Sequence, residues 1–113
     1  MSSPIISNDP LYRLLREGKM DEFNQRIAAG ETVDLKGCDF RHINLQLLNA
    51  DGLDFSGSYF RQADLRGVDF SKCITFEGAS IHGAKISGVC FPKEIRADEI
   101  LLSLEHGTRI RYT

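Results

Sequence analysis

The sequence predicts a mainly β fold in which the chain winds as a square coil and is closed at both ends by helical segments. Three observations point to it. Leu35, Phe40, Leu45, Ala50, Phe55, Phe60, Leu65 and Phe70 fall at five-residue steps, and after one inserted residue Phe76, Ile81, Ile86 and Phe91 resume the step. Seven of the ten glycines (Gly37, Gly52, Gly57, Gly67, Gly78, Gly83 and Gly88) sit two residues after such a centre. Asp or Asn stands immediately before seven of the twelve centres.

A period of five matches neither the 3.6 residues of a helix turn nor the two-residue alternation of a strand. It requires a chain that turns a corner every five residues. Glycine after the centre supplies permissive backbone at that corner, and the Asp or Asn side chain can satisfy a local backbone donor. Four sides close one coil of twenty residues, with the centres and the small or apolar residues two before them facing in. Each coil must then stack on another to satisfy its backbone edge. Stretches such as Ala63-Asp64-Leu65-Arg66-Gly67 and Val68-Asp69-Phe70 resemble the pentapeptide-repeat family, in particular its small bacterial members. The resemblance covers residues 33–92 and implies a right-handed quadrilateral β-helix of about three coils. The family spans many roles, so the resemblance implies fold rather than activity.

Residues twenty apart should stack, with one residue added after the insertion. This predicts inward columns Leu35/Phe55/Phe76, Phe40/Phe60/Ile81, Leu45/Leu65/Ile86 and Ala50/Phe70/Phe91. The inserted residue lies among Lys72 to Thr75 and is expected to form a bulge or small loop. Either Cys73 or Ile74 takes the inward place before Phe76.

The chain reads as a single domain of 113 residues, with a helical hairpin over 1–32, the repeat over 33–92, and a helix and short tail over 93–113. Residues 1–8 are polar and are expected to lack regular structure. Asp9 can cap a first helix in which Pro10 takes the first turn, with Leu11, Leu14 and Leu15 on one face and Gly18 at its end. A second helix runs from Met20 or Asp21 to Ala29, with Met20, Phe23 and Ile27 on one face and Gly30 closing it. The pair resembles the helical half of an ankyrin repeat, but no second copy follows. Its expected role is to cover the first coil. After Pro92, Ala97 to His106 reads as a helix with Asp98 and Glu99 in its first turn and Gly107 beyond its end. Ile100, Leu101 and Leu104 form its apolar stripe, widened by Leu102, and would either cap the last coil or build a homodimer. Thr108 to Tyr112 alternates like a short strand.

Composition narrows the function classes. A net charge of −2 and a pI near 5.9 argue against general binding to nucleic acid or to an anionic membrane. No apolar run approaches the ~20 residues that span a bilayer, and Met1 to Asp9 lacks the pattern of a signal peptide. Cys38 and Cys73 are expected inside the coil and Cys90 outside, a pattern that suits the reducing cytoplasm.

Function must therefore be sought on outward positions. Stacking on the second face places Arg41, Arg61 and His82 in one column, His42 and Gln62 in the next, and Asp39, Tyr59 and Ser80 in a third. Tyr59 replaces the usual Asp or Asn, so an aromatic ring stands beside two arginines, residue types enriched at interface hot spots. This face is the candidate partner-binding surface, with the solvated surface as its plain alternative. Asp34, Asp54 and Glu77, and Asp51 and Asp69, share faces that suggest a cation, but most of them hold the turn position. No metal, cofactor or catalytic residue is expected, since Cys90 belongs to face four and His42 and His82 to face two. The leading expectation is a non-enzymatic module that binds a protein partner. The alternative, implied by the resemblance to the family's quinolone-resistance members, is a DNA-mimicking protein that binds gyrase or another topoisomerase, which calls for a long acidic rod. Here seven acids oppose six bases within the repeat, and three coils rise only roughly 14 Å. A third expectation is a small-molecule or redox role for an exposed Cys90.

Overall fold

The computed structural model describes residues 3–112, and the expectations for residues 1, 2 and 113 lie outside them. Its helices are α1, Pro10–Arg16; α2, Met20–Ala28; and α3, Ala97–His106. Between α2 and α3 the chain turns every five residues and climbs through stacked coils. Parallel bridges join Asp39 to Tyr59 and Asn44 to Asp64, twenty residues apart. Beyond the insertion, Asp54 meets Thr75, Tyr59 meets Ser80, Asp64 meets Lys85 and Asp69 meets Cys90, at twenty-one. Pairing passes through single residues rather than long strands, because every side turns again before a second residue can pair.

The corner chemistry recurs wherever Asp or Asn precedes the centre. That residue accepts a bond from the backbone N–H two residues on: Asp34 from Lys36, Asn44 from Gln46, Asp54 from Ser56, Asp64 from Arg66 and Asp69 from Ser71. Thr75 does the same for Glu77. The corner residue then takes a positive φ, usually as glycine, but His42, Leu47 and Gln62 adopt it at 64°, 73° and 57°. The inserted residue is absorbed between Ser71 and Thr75, where Gly52 N donates to Lys72 O and Ile74 N to Leu53 O. Cys73 packs inward and Ile74 is left 66% exposed.

The backbone columns are those expected, and the rings inside them lean across columns. Phe40 stacks on Phe60 at 5.1 Å and Phe60 on Phe76 at 5.3 Å, with rings within 8° of parallel. Phe55 and Phe76, one above the other along the backbone, lie 6.4 Å apart and tilted. Tyr12 closes the stack at one end, edge-on to Phe40 at 5.5 Å, and Phe91 at the other, 5.9 Å from Phe76. Each buried ring contributes roughly 1.5–3 kcal/mol through burial, and each pair a further ~1 kcal/mol.

Both ends of the stack are closed. Asp9 caps α1 by accepting from Leu11 N at 2.9 Å, and Leu11, Tyr12, Leu14 and Leu15 are buried. The helical hairpin covers the first coil: Tyr12 Oη and Arg16 Nη1 donate to Asp39 O, while Asn24 donates to Leu47 O and accepts from Asn49 N. Contrary to the expectation of an irregular start, Ile5 joins this edge. Its N–H donates to Gly37 O and its carbonyl accepts from Asp39 N. The coil leaves that edge unpaired, and a short extended segment satisfies it.

At the far end the chain beyond the repeat supplies four acceptors. Phe76 N donates to Tyr112 Oη, Gly78 N to Ile110 O, Ile81 N to Ser103 Oγ and Gly83 N to Leu104 O. Ile110 N donates back to Ala79 O. Here α3 departs from the expected stripe. Ile100 and Leu104 pack on the core, but Leu101 is 54% exposed, and Glu99 and Ser103 are buried in its place. The physical reason is the open coil edge, which needs a hydroxyl more than a methyl group. Arg111 then neutralises Glu99 at 2.7 Å. Ile86 and Phe91, on the two faces α3 does not cover, are only partly buried.

Replacing Ser103 with alanine strands the Ile81 N–H, and urea denaturation should show a loss of about 1–3 kcal/mol. Leu101→Glu should change stability by less than about 0.5 kcal/mol. Equal losses for the two would overturn this orientation of α3.

Candidate functional site

The ladder carries the second-face residues to where the sequence places them. Asp39, Tyr59 and Ser80 are bridged in one column. Arg41, Arg61 and His82 follow in the next, since His42 N donates to Arg61 O and Gln62 N to His82 O. Arg41 folds back on Asp39 with two bonds, Nε to Oδ1 at 3.0 Å and Nη2 to Oδ2 at 2.8 Å. Arg61 is held by Ser80 Oγ at 3.3 Å and by Gly107 O at 3.4 Å.

A residue from the tail completes the site. The Arg109 guanidinium lies 4.4 Å from the centre of the Tyr59 ring, a cation–π contact, and Nη2 also donates to the Tyr59 hydroxyl. Nη1 of Arg109 donates to Gly57 O at 3.0 Å and Gly78 O at 2.8 Å, so one side chain ties two coils to the tail. Arg41, Tyr59, Arg61 and Arg109 line an open groove of ≈ 430 Å³ with Pro4 at its edge. Neither Pro4 nor Arg109 was legible as a site residue, because both reach it from outside the repeat. The alternation of Thr108 to Tyr112 gave the tail no position along the stack.

The other candidates do not line this groove. His42 and Gln62 are exposed at the corner, held at positive φ. His82 is half-buried, and its Nδ1 is buried without a hydrogen-bond partner among the described residues. Gly107 matters to the geometry twice over. Its φ of 72° is left-handed, and a Cβ there would lie 2.9 Å from Arg61 Nη2. A roomier groove of ≈ 550 Å³ between α2 and the first coil is lined by Lys19, Asp21, Asn44 and Leu47 among others.

Charges in the groove are unevenly neutralised. Arg41 has Asp39, whereas Arg61 and Arg109 have no carboxylate partner among the described residues. Burial pushes the Asp39 carboxyl up, but the Arg41 side chain and backbone N–H outweigh it and hold the group below the usual carboxylate range. The Arg111 bonds lower Glu99, and the Arg66 bonds lower Asp64. Burial pushes the Cys38 and Cys73 thiols up to about 11, so both stay protonated at neutral pH. Cys90 is exposed beside Asp69, away from His42 and His82. Among the described residues no three His, Cys, Asp or Glu side chains gather as a metal site, and no helix is long and apolar enough to cross a membrane.

Lowered carboxyls stabilise the fold above their unfolded pKa of about 4 and lose that contribution as pH falls through the folded values. The melting temperature should therefore be level from about pH 7 to 5 and drop below about pH 4. Asp39→Asn and Glu99→Gln should each flatten that drop. An unchanged acid limb in both variants would show that these ion pairs do not govern it.

Residues 34–74 and 54–91 match the Pentapeptide repeats family in eight copies, which together span 34–91 of the 113 residues. No curated protein matches the chain, and neither does any solved structure. The matched span is the stretch that turns every five residues and stacks at twenty, and on that agreement of pattern and geometry the chain belongs to the pentapeptide-repeat family.

Proposed function

We propose that this chain is a non-enzymatic protein-interaction module of the cytoplasm. Its coils, wound as a right-handed quadrilateral β-helix, hold a partner-binding face built around Arg41, Tyr59 and Arg61. The carrying observation is the Arg109 clamp, which fixes the Tyr59 ring and bonds two coils at once. An aromatic ring and guanidinium groups that are already ordered lose little freedom on binding, and they are the residue types that dominate interface energies. The gyrase-binding alternative has less support, because this face is cationic and the molecule extends only 36 Å along its longest axis.

Affinity capture from lysate with wild type, Arg61→Glu and Tyr59→Ala tests the reading. A protein retained by the wild type and lost by both variants, each still melting cooperatively, is the expected result. The same proteins retained by all three would sink it.

The outer side of α3 supports a homodimer contact as well, since Leu101 and Leu102 are 54% and 38% exposed there. Light scattering should give twice the chain mass for the wild type and the chain mass for Leu101→Glu with Leu102→Glu. A monomeric wild type at high micromolar concentration ends this part of the reading.

A further inference from the structure

We infer that the groove between Pro4, Tyr59 and the three arginines takes an acidic peptide segment of the partner, with Asp or Glu side chains on Arg61 and Arg109. The inference rests on the reading of this face as the partner-binding surface and adds the chemistry that it recognises. The local charge comes first. The chain as a whole carries −2, yet three guanidinium groups line this groove and Asp39 pairs with Arg41 alone. Arg26, Arg66, Arg96 and Arg111 are each paired with an acid, whereas Arg61 and Arg109, like Arg13 and Arg16 on α1, bond to neutral oxygens. Like charges held together this closely repel one another, and an incoming anion relieves that repulsion.

Donor geometry selects the kind of anion. Arg41 uses Nε and Nη2 on Asp39, Arg61 uses Nε and Nη2 on Ser80 and Gly107, and Arg109 uses both Nη atoms on Gly57, Gly78 and Tyr59. What remains without a partner among the described residues is Nη1 of Arg41, Nη1 of Arg61 and Nε of Arg109. A guanidinium carries five N–H groups, so each of the three arginines still has two or three to offer an incoming anion. Donors spread over three side chains along an open groove fit carboxylates spread along an extended chain. The groove, at ≈ 430 Å³, is also far larger than a lone anion needs. Its Pro4 and Tyr59 walls are apolar, suited to the methylene stems of acidic residues and to an intervening aliphatic side chain.

Fluorescence anisotropy with a fluorescein-labelled octapeptide of alternating Glu and Val tests this, against the same peptide with Gln in place of Glu. The wild type should bind the Glu peptide in about 0.05 M salt and progressively less toward 0.5 M. The Gln peptide, Arg61→Gln and Arg109→Gln should each lower affinity about tenfold or more, the scale of one charge-assisted bond. Arg96→Gln, whose guanidinium faces Asp98 on α3, should leave it unchanged. If Arg109→Gln melts early for want of its clamp, Arg61→Gln decides alone. No binding of the Glu peptide at low salt, equal binding of the Gln peptide, or equal losses for Arg61→Gln and Arg96→Gln would overturn the inference. So would displacement of the peptide by sub-millimolar inorganic phosphate, which would mark a small-anion site. Should the peptide fail while Arg61→Glu still loses a captured partner, the face remains an interface and only its acidic specificity falls.

Discussion

A chain that turns every five residues directs its backbone N–H and C=O groups along the stacking axis, where only another coil or an added cap can meet them. Buried donors and acceptors left unpaired cost about 1–3 kcal/mol each, so a short stack is governed by its two ends as much as by its core. Most of what flanks the repeat answers this constraint. Ile5 and the α1–α2 hairpin satisfy the lower edge, and Ser103, Leu104, Ile110 and Tyr112 satisfy the N–H groups of two upper faces. The two upper faces they leave open are those where Ile86 and Phe91 stay partly exposed.

The same constraint builds the candidate site. Once the tail is pinned by Ile110 against Gly78 and Ala79, Arg109 must project beside it, over the coil where Tyr59 stands. Tyr59 occupies a position that in seven of the twelve units holds Asp or Asn, which bonds its own corner at sites such as Asp34, Asp54 and Asp69. With an aromatic ring there, the column exchanges a local turn bond for a flat surface that an arginine from the cap can cover. The groove is thus a product of cap and repeat together, and its rigidity follows from bonds to main-chain oxygens on two coils.

Inside, the aromatic stack connects both caps. Tyr12 from α1, Phe40, Phe60, Phe76 and Phe91 form one continuous series of ring contacts from the first coil to the end of the repeat. The face at Tyr59 therefore lies on a coil whose core is packed ring against ring. Ion pairs add little by comparison. Three of the six among the described residues, Lys19–Glu17, Arg26–Glu31 and Arg96–Asp98, join two exposed side chains, where water screens them.

The sequence by itself determined the coil: the five-residue spacing of Leu, Phe and Ile, glycine two places on, and Asp or Asn before the centre are local requirements that each side must meet. That is why the twenty-residue stacking, the insertion near Cys73, the caps of α1 and the extent of α3 were legible, as was the Arg41, Tyr59, Arg61 alignment that follows from stacking alone. Tertiary structure decided what depends on the open edges. It turned Ser103 rather than Leu101 toward the coil, drew Ile5 into the first edge, leaned Phe76 onto Phe60 instead of Phe55, and brought Arg109 and Pro4 to the groove. These choices are set by unpaired backbone groups and ring packing between segments far apart in the chain, and neither leaves a periodic trace in the residues themselves.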